Sequence, residues 1–555
     1  MDASRCHSIH PSSLILHPSF CWAAAGAVLL WAALPPADLW PLGWLAPVPW
    51  ILLIRRNDLP GRRPYRATWL AGFLFWMAAM HWLRLPHWAT SFGWVALSLY
   101  QAFYLPVFVG LSRVAVHRLR VSAIVAAPVV WTGLELARAH LLTGITMASL
   151  GHTQFRWIGL IQISDLVGAY GVSFVVMFAA ACLGRMLPTG SGRWAAWPAL
   201  PLAGMLAAVL GYGYWRTSVP PSTALARIAL IQESIDISFK ADPQMSDEIH
   251  RRYRELSEEA VRQYGTPRKL DLIVWPETMF RHTLIDLEPN ARVPENCPYS
   301  KEEFQLAMAW ESARSLGEMA GTARQLGTSL LLGVDRVHYG PEGSRHFNSA
   351  AMVSASGKLV GRYDKMHLVL FGEYVPFAQY WPWLRRFTPL PVDNTPGTRP
   401  AAFDVTSPAG SLRISPSICY ENVLPQVIRR QIRLLAHEGR EPDVLVNLTN
   451  DGWFWGSSEL DMHLVCAVFR AVEFRKPFLI AANTGFSAWI DGDGRICDRG
   501  PRREKGIVVA EVGPDPRSSW YLRIGDWPAG CCLAVCVILA GAGWRTRRSR
   551  AGRKS

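Results

Sequence analysis

A carboxylate, an amine and a thiol stand in this chain in settings where each could take part in acyl transfer. The apolar run Leu270–Trp275 is stopped by Pro276 and presents Glu277 at its end. A carboxylate beside an apolar strand tip has a route to a raised pKa and to general-base work. Lys365 lies in Tyr363-Asp-Lys365-Met-His-Leu, after a turn at Ser356-Gly-Lys and before an apolar stretch that draws its ammonium from bulk water. There it could sit against a developing oxyanion. Cys419, in Ser415-Pro-Ser-Ile-Cys419-Tyr-Glu421, ends a strand and opens a helix. Helix N-termini and nearby cations lower a thiol's pKa from about 8.5 and populate the nucleophilic thiolate. Singly, each has an ordinary alternative: a turn or salt-bridge glutamate, a snorkelling surface lysine, an inert core cysteine.

The elements that must position these residues alternate in type. ARIALIQ (Ala226–Gln232), LDLIVW, TSLLLGV (Thr328–Val334), Ser349–Val353, RISPSIC (Arg413–Cys419) and VLVN (Val444–Asn447) read as strands buried on at least one face. Met245–Tyr264 and Glu303–Leu326 read as helices between them. Strand–helix alternation predicts an α/β fold with sheets covered by helices, and strand ends are where ligands of such folds gather.

Around this region, 224–515, the composition changes. From Phe20 to Trp215 the chain is dominated by Leu, Ala, Val, Trp and Phe, and a last apolar run, Trp527–Trp544, precedes an Arg-rich tail, 545–555. Crossing the hydrocarbon core takes about 20 apolar residues as helix. Runs at Phe20–Pro36, Trp40–Ile54, Ala67–Leu85, Phe92–Leu111, Val121–Ala137, Tyr170–Leu187, Trp194–Tyr214 and Trp527–Trp544 predict about eight spans. The expected organisation is a cytoplasmic segment (1–19), a membrane domain (20–216), a soluble domain (224–515), a final span (527–544) and a cytoplasmic tail.

The net charge of +14 invites a nucleic-acid reading, but its distribution opposes one. Arg55, Arg56, Arg62, Arg63 and Arg66, then Arg113, Arg118 and Arg120, then Arg185 and Arg193, and the tail all fall on one side if the amino terminus is cytoplasmic. The loop His87–Ser91, without Lys or Arg, falls on the other, and so does the soluble domain. The ten cysteines form no CxxC pair and no Cys/His metal spacing, and no disulfide framework is called for.

Together the motifs say more than each alone. WPET, Y-x-K-x-H-L, FGEYVP, ICYE, NLTNDGWF, FRAVEFRKP and NTG, with Trp131–Arg138 and Leu150–Gln154 in the apolar part, resemble the apolipoprotein N-acyltransferase family of the nitrilase superfamily, over nearly the whole chain. The resemblance implies an extracytoplasmic α-β-β-α sandwich joined to the membrane domain, in a bacterial inner membrane. It implies Glu277 as general base, Lys365 as transition-state stabiliser and Cys419 as nucleophile, with Glu373, Tyr420 and Glu421 shaping the site and the N–H after Cys419 as an oxyanion donor.

The implied reaction takes an sn-1 acyl chain from a phospholipid, typically phosphatidylethanolamine, through a Cys thioester to the α-amine of an S-diacylglyceryl cysteine on an apolipoprotein. An outward-facing site has no ready supply of acyl-CoA, which fits a lipid donor. No cofactor or metal is expected, and the chain is expected to act as a monomer. Phe377–Phe387, with Trp381, Trp383, Arg385 and Arg386, reads as a mobile arm dipping into the headgroup region, and Trp453 as part of a loop at the pocket mouth.

Departures from the family pattern are Leu370 for Pro, Glu233-Ser234 after Gln232, an extra Trp455 and a long segment over His282–Glu302. Two other readings compete. A membrane-anchored nitrilase-type amidase leaves about eight helices without a task. A silent scaffold or transporter would suit the intramembrane Glu135 and Arg138, but not an intact triad.

Overall fold

The computed structural model describes residues 17–189, 193–220, 222–236, 243–295, 297–388 and 392–551. Most of the expected N-terminal segment (1–16) and the end of the tail (552–555) lie outside the described residues.

The strands in chain order are β1 (Ala226–Gln232), β2 (Leu272–Val274), β3 (Phe280–Leu287), β4 (Ser329–Gly340), β5 (Gly343–Val353) and β6 (Leu359–Asp364). They continue with β7 (Phe403–Ser407), β8 (Gly410–Ile418), β9 (Val444–Thr449), β10 (Phe478–Ala482), β11 (Ala488–Ile490), β12 (Ile496–Arg499) and β13 (Gly506–Val512). One sheet of seven strands runs β13–β1–β2–β4–β5–β6, with β3 beside β4; a second, of six, runs β12–β11–β10–β9–β8–β7. The central pairs β1–β2, β2–β4, β8–β9 and β9–β10 are parallel. Parallel neighbours need long crossovers, and helices Ser246–Tyr264, Lys301–Leu326, Pro425–His437 and Glu459–Phe474 supply them.

Leu230, Val274, Leu331 and Met352 of the first sheet meet Ile414, Val446 and Leu479 of the second in an apolar seam. Helix Ser246–Tyr264 buries Ile249, Tyr253, Leu256 and Ala260, a spacing that puts one stripe on the first sheet. Helix Lys301–Leu326 is started by a capping box between Ser300 and Glu303 and stopped by Gly327 in the left-handed conformation. The layers are thus α-β-β-α. Helix Glu459–Phe474 is buried at every position but Asp461, because the second sheet covers one side and Phe155, Ile161, Val172 and Val209 of the N-terminal helices cover the other.

Each of the eight apolar runs contains a helix. Among the described residues, three helices are long and apolar enough to cross a membrane: Thr90–His117, Ala169–Met186 and Trp527–Arg545. The run expected over Trp40–Ile54 is not one span. It breaks into a 3-10 turn, Trp40–Trp44, and a short helix, Val48–Arg55, with Pro47 at the junction. Arg55 donates to the carbonyls of Gly184 and Leu187, and Arg113 to those of Leu53, Ile54, Arg56 and Asn57. Arg118 donates to Gly543. These contacts bring the basic ends of four helices to one end of the bundle.

Candidate active site

β2 delivers Glu277 through the turn Pro276–Thr278. That turn lies so close to β4 that a Cβ on Gly333 would sit 2.1 Å from the Pro276 carbonyl oxygen and 2.7 Å from the Glu277 Cα. The glycine is what lets the carboxylate press into the interior. Glu277 Oε1 accepts from Asn348 Nδ2 (2.6 Å) and lies 3.5 Å from Lys365 Nζ; Oε2 accepts from the Asn450 N–H (3.0 Å).

Lys365 follows β6 directly and donates its own N–H to the Asn348 carbonyl (2.9 Å). Its side chain, 1% exposed, reaches Glu373 at 2.9 Å. Burial acts to lower its pKa, but Glu373 first, then Glu277 and Cys419, outweigh that and lift the ammonium above its ordinary range. It is not a snorkelling lysine: the charge is buried and held between two carboxylates. Asn348 Nδ2 also lies 3.2 Å from Glu373 Oε1, so one amide ties both acids.

Cys419 is the first residue past β8 and adopts φ +50°, the left-handed region that costs a residue with a side chain about 1–3 kcal/mol. The expectation of a lowered thiol pKa is corrected here. Burial first, then the Glu277 carboxylate, push the thiol well above its ordinary value, and Lys365 does not offset them. The element that follows is a 3-10 turn, Cys419–Val423, rather than a helix whose dipole would favour a thiolate. The thiol therefore stays protonated near neutrality and needs a base.

Glu421 holds this turn to the Lys365 segment. Its carboxylate accepts from Tyr363 Oη (2.8 Å), the N–H groups of Met366 (2.8 Å) and His367 (3.0 Å), and that of Ile418 (2.7 Å). Tyr420 Oη donates to the Gly144 carbonyl (2.8 Å), and Thr146 Oγ1 to that of Val423. The 144–149 loop is braced in turn by Arg138, which donates to Met147 O and Ser149 Oγ, while Glu135 accepts from the Leu150 N–H just beyond it. Glu135 and Arg138 thus brace the loop on which the Cys419–Val423 turn rests, a structural use for both groups.

Glu277, Lys365, Glu373 and Cys419 form one electrostatic cluster, with Tyr420 and Glu421 in its scaffold. Trp381 and Trp383 stand outside it, more than half exposed, before and within the 3-10 turn Pro382–Phe387. Phe387 in that turn meets Phe92 of the apolar region (5.8 Å). Trp453 is half-buried in the turn Asp451–Phe454, whose Phe454 packs on Trp82 (5.1 Å).

Sequence reasoning missed Asn348, Asn447 and His463, and gave Asn450 and Asp451 only a place in a loop at the pocket mouth. Asn447 Nδ2 and His463 Nε2 both lie 3.2 Å from the Cys419 carbonyl oxygen. Asn447, in the otherwise apolar run VLVN of β9, was the available signal; β5 and helix Glu459–Phe474 carry several polar residues, among which Asn348 and His463 do not stand out. Cys297, Cys419, Cys466 and Cys497 are free thiols. Among the described residues, ligand-type atoms of Asp451, Glu459 and His463 come within 4.8 Å of one another, the spacing of a cation site.

Comparison with known proteins matches residues 26–182 to the apolipoprotein N-acyltransferase N-terminal domain and residues 227–521 to the carbon-nitrogen hydrolase domain. The apolipoprotein N-acyltransferase of Geobacter metallireducens is 33% identical, covering 95% of this chain and 96% of that one. That of Rhodopirellula baltica is 30% identical, over 94% and 96%. Among solved structures, an amidase from Nesterenkonia sp. is similar at 18% identity and a TM-score of 0.35, over 56% of this chain and 97% of that one.

Proposed function

The chain belongs to the apolipoprotein N-acyltransferase family and is an acyltransferase, and from that premise we propose that it moves an sn-1 acyl chain from phosphatidylethanolamine, through a thioester on Cys419, to the α-amine of the S-diacylglyceryl cysteine of lipoproteins. Glu277 takes the Cys419 proton as the sulfur attacks the ester carbonyl carbon. Lys365, kept charged by Glu373, and the Tyr420 N–H receive the oxyanion. As the intermediate collapses, the bond to the glycerol oxygen breaks, Glu277 returns its proton to that oxygen, and a lysophospholipid leaves. The α-amine then attacks the thioester, Glu277 takes a proton from its nitrogen, the C–S bond breaks, and the thiolate is reprotonated as the amide forms.

The observation that carries this reading is the thiol of Cys419 set in a strained turn beside the buried Glu277–Lys365–Glu373 cluster. A thiol that is not ionised at rest needs the carboxylate beside it, and the buried ammonium answers the charge that develops. The amidase reading uses the same triad but gives no reason for the 144–149 loop to reach from the apolar helices to the nucleophile turn.

The proposed organisation is a multi-pass membrane domain over 20–216, a catalytic domain over 224–515 facing the periplasm, and a final span over 527–544. The convergence of Arg55, Arg113 and Arg118 at one end of the bundle supports that orientation, because basic residues collect on the cytoplasmic side. The scheme needs one chain and no cofactor. Trp381, Trp383 and Trp453 are assigned to lipid access.

Intact-protein mass spectrometry of the purified enzyme with phosphatidylethanolamine tests the scheme. A mass gain of one acyl chain is expected, absent in Cys419→Ala and discharged by a diacylglyceryl-cysteine peptide. An adduct that persists in Cys419→Ala, or one that water discharges as fast as the peptide does, would overturn it.

A further inference from the structure

The carbonyl of Cys419 is the least expected acceptor in the site. It belongs to a residue held at φ +50°, and its orientation fixes where the thiol points. Two side-chain groups reach it: Asn447 Nδ2 from β9 and His463 Nε2 from helix Glu459–Phe474, each at 3.2 Å. The other nitrogen of the same ring, Nδ1, bonds to Asp451 Oδ2 at 3.4 Å and lies 3.2 Å from Oδ1. A carbonyl oxygen and a carboxylate are both acceptors, so the ring makes both bonds only when both nitrogens carry protons. His463 is 2% exposed.

We propose that His463, as an imidazolium locked between the Asp451 carboxylate and the Cys419 carbonyl, is the positioning residue that holds the nucleophile's turn in its reactive conformation; the role rests on Cys419 being the nucleophile. A charged donor grips a carbonyl more strongly than a neutral one, and it can hold a conformation that the backbone disfavours. Asp451 is itself fixed. Its Oδ1 accepts from Thr449 Oγ1 (2.7 Å), and a Cβ on Gly485 would meet its Oδ2 at 2.0 Å, so the glycine of the NTG motif makes room for it.

The charges facing the ring are few. Asp451 comes from the turn after β9, Glu459 from the ring's own helix, and Cys419 from the nucleophile turn, with Lys365 and Glu277 beyond the thiol. Burial would lower the His463 pKa, but Asp451 outweighs it, then Glu459 and the Cys419 carbonyl, and the ring is raised to about 9. Burial first, then Asp451, pushes the Glu459 carboxyl well up. Since the folded value lies above the ordinary 6.5, the clamp is complete below 6.5 and is lost as pH rises through about 9. The Lys365 ammonium and the Cys419 thiol are both displaced upward and titrate above it.

The test is the single-turnover rate of adduct formation with phosphatidylethanolamine vesicles, read by intact mass. His463→Ala is expected to slow acylation by about 10²-fold, with the lipid concentration for half-maximal rate unchanged. His463→Gln, which keeps one donor, should recover part of that rate. The wild-type rate should fall as pH rises through about 9, and this limb should be missing in His463→Gln. If His463→Ala does not fold, the glutamine variant and the wild-type profile still decide. A wild-type rate in His463→Gln with the alkaline limb intact would overturn the proposal. So would a stoichiometric metal whose chelation stops acylation, because a metal would need the lone pair that an imidazolium lacks. An adduct in Cys419→Ala would instead remove the nucleophile assignment beneath it.

Discussion

The two flanks of the Cys419 turn are made of opposite materials. Toward the N-terminal helices, helix Glu459–Phe474, which packs beside the turn, is anchored by buried charge. Arg475, with a side chain 0% exposed, pairs with Asp165 (2.7 Å) and Asp493 (3.4 Å); Asp165 also pairs with Arg216 (2.7 Å), and Arg517 with Asp493 and Asp515. Arg470 pairs with Glu473 and donates to the Val423 carbonyl inside the turn. On the other flank the chain from Phe377 to Phe387 exposes Phe377, Tyr380, Trp381 and Trp383. A buried ion pair holds one geometry, because removing a partner costs about 3–5 kcal/mol. Exposed aromatics with few buried contacts belong to the part of a structure that opens most readily. Under the proposed function, chemistry between fixed atoms and access for a flexible lipid would call for these two materials.

The largest effect should come from the cluster between the flanks. Glu277→Gln keeps the shape and the acceptor for the Asn450 N–H, but cannot take the thiol's proton. The rate of thioester formation should fall about 10³-fold, with the midpoint of thermal unfolding in detergent unchanged. A normal acylation burst in this variant would move the base elsewhere and remove the chemical reason for a rigid flank.

Next in size is the rigid flank itself. Arg475→Met leaves Asp165 and Asp493 short of a partner and should destabilise the fold by about 3–5 kcal/mol. That is read as a lowered unfolding midpoint, with the acylation rate at a permissive temperature within about twofold of wild type, since Arg475 bonds to Asp165, Gln162, Gly492 and Asp493 and to none of the reacting groups. If acylation fell instead while stability held, the ion pairs would serve chemistry rather than architecture, and the contrast between the flanks would fail.

The catalytic half of this design was legible because strand ends announce themselves. β1 coincides with ARIALIQ, and Pro276 marks where β2 must stop and Glu277 begin. What escaped was what single strands do not encode. β4 runs on to Gly340 and β5 starts at Gly343, a long hairpin whose outer half pairs with β3, so the long segment after His282 forms an edge strand and the approach to helix Lys301–Leu326. The thiol's pKa was misread because the cysteine's own neighbours suggested a helix end, whereas its burial and its closeness to Glu277 depend on strands far apart in sequence. His463 was passed over for a similar reason. In LDMHLVCAVF it is one of two polar residues on a largely apolar helix stretch, and only the fold places the Cys419 carbonyl and Asp451 on either side of it.

The smallest effect should come from the exposed flank. Trp381 and Trp383 are 53% and 55% exposed, and neither belongs to the hydrogen-bonded cluster around Lys365, so removing them leaves the reacting groups in place. If they guide phospholipid from the bilayer, Trp381→Ala with Trp383→Ala should raise the lipid concentration for half-maximal acylation. Each indole lost from a membrane-facing surface forfeits burial of order 1–2 kcal/mol, and partial exposure in the bound state reduces that to about tenfold for the pair. Acylation at saturating lipid should stay within about twofold of wild type, as should the unfolding midpoint. A variant that loses rate at saturation but binds lipid normally would show these tryptophans to be part of the catalytic platform, and the second flank would then be no softer in function than the first.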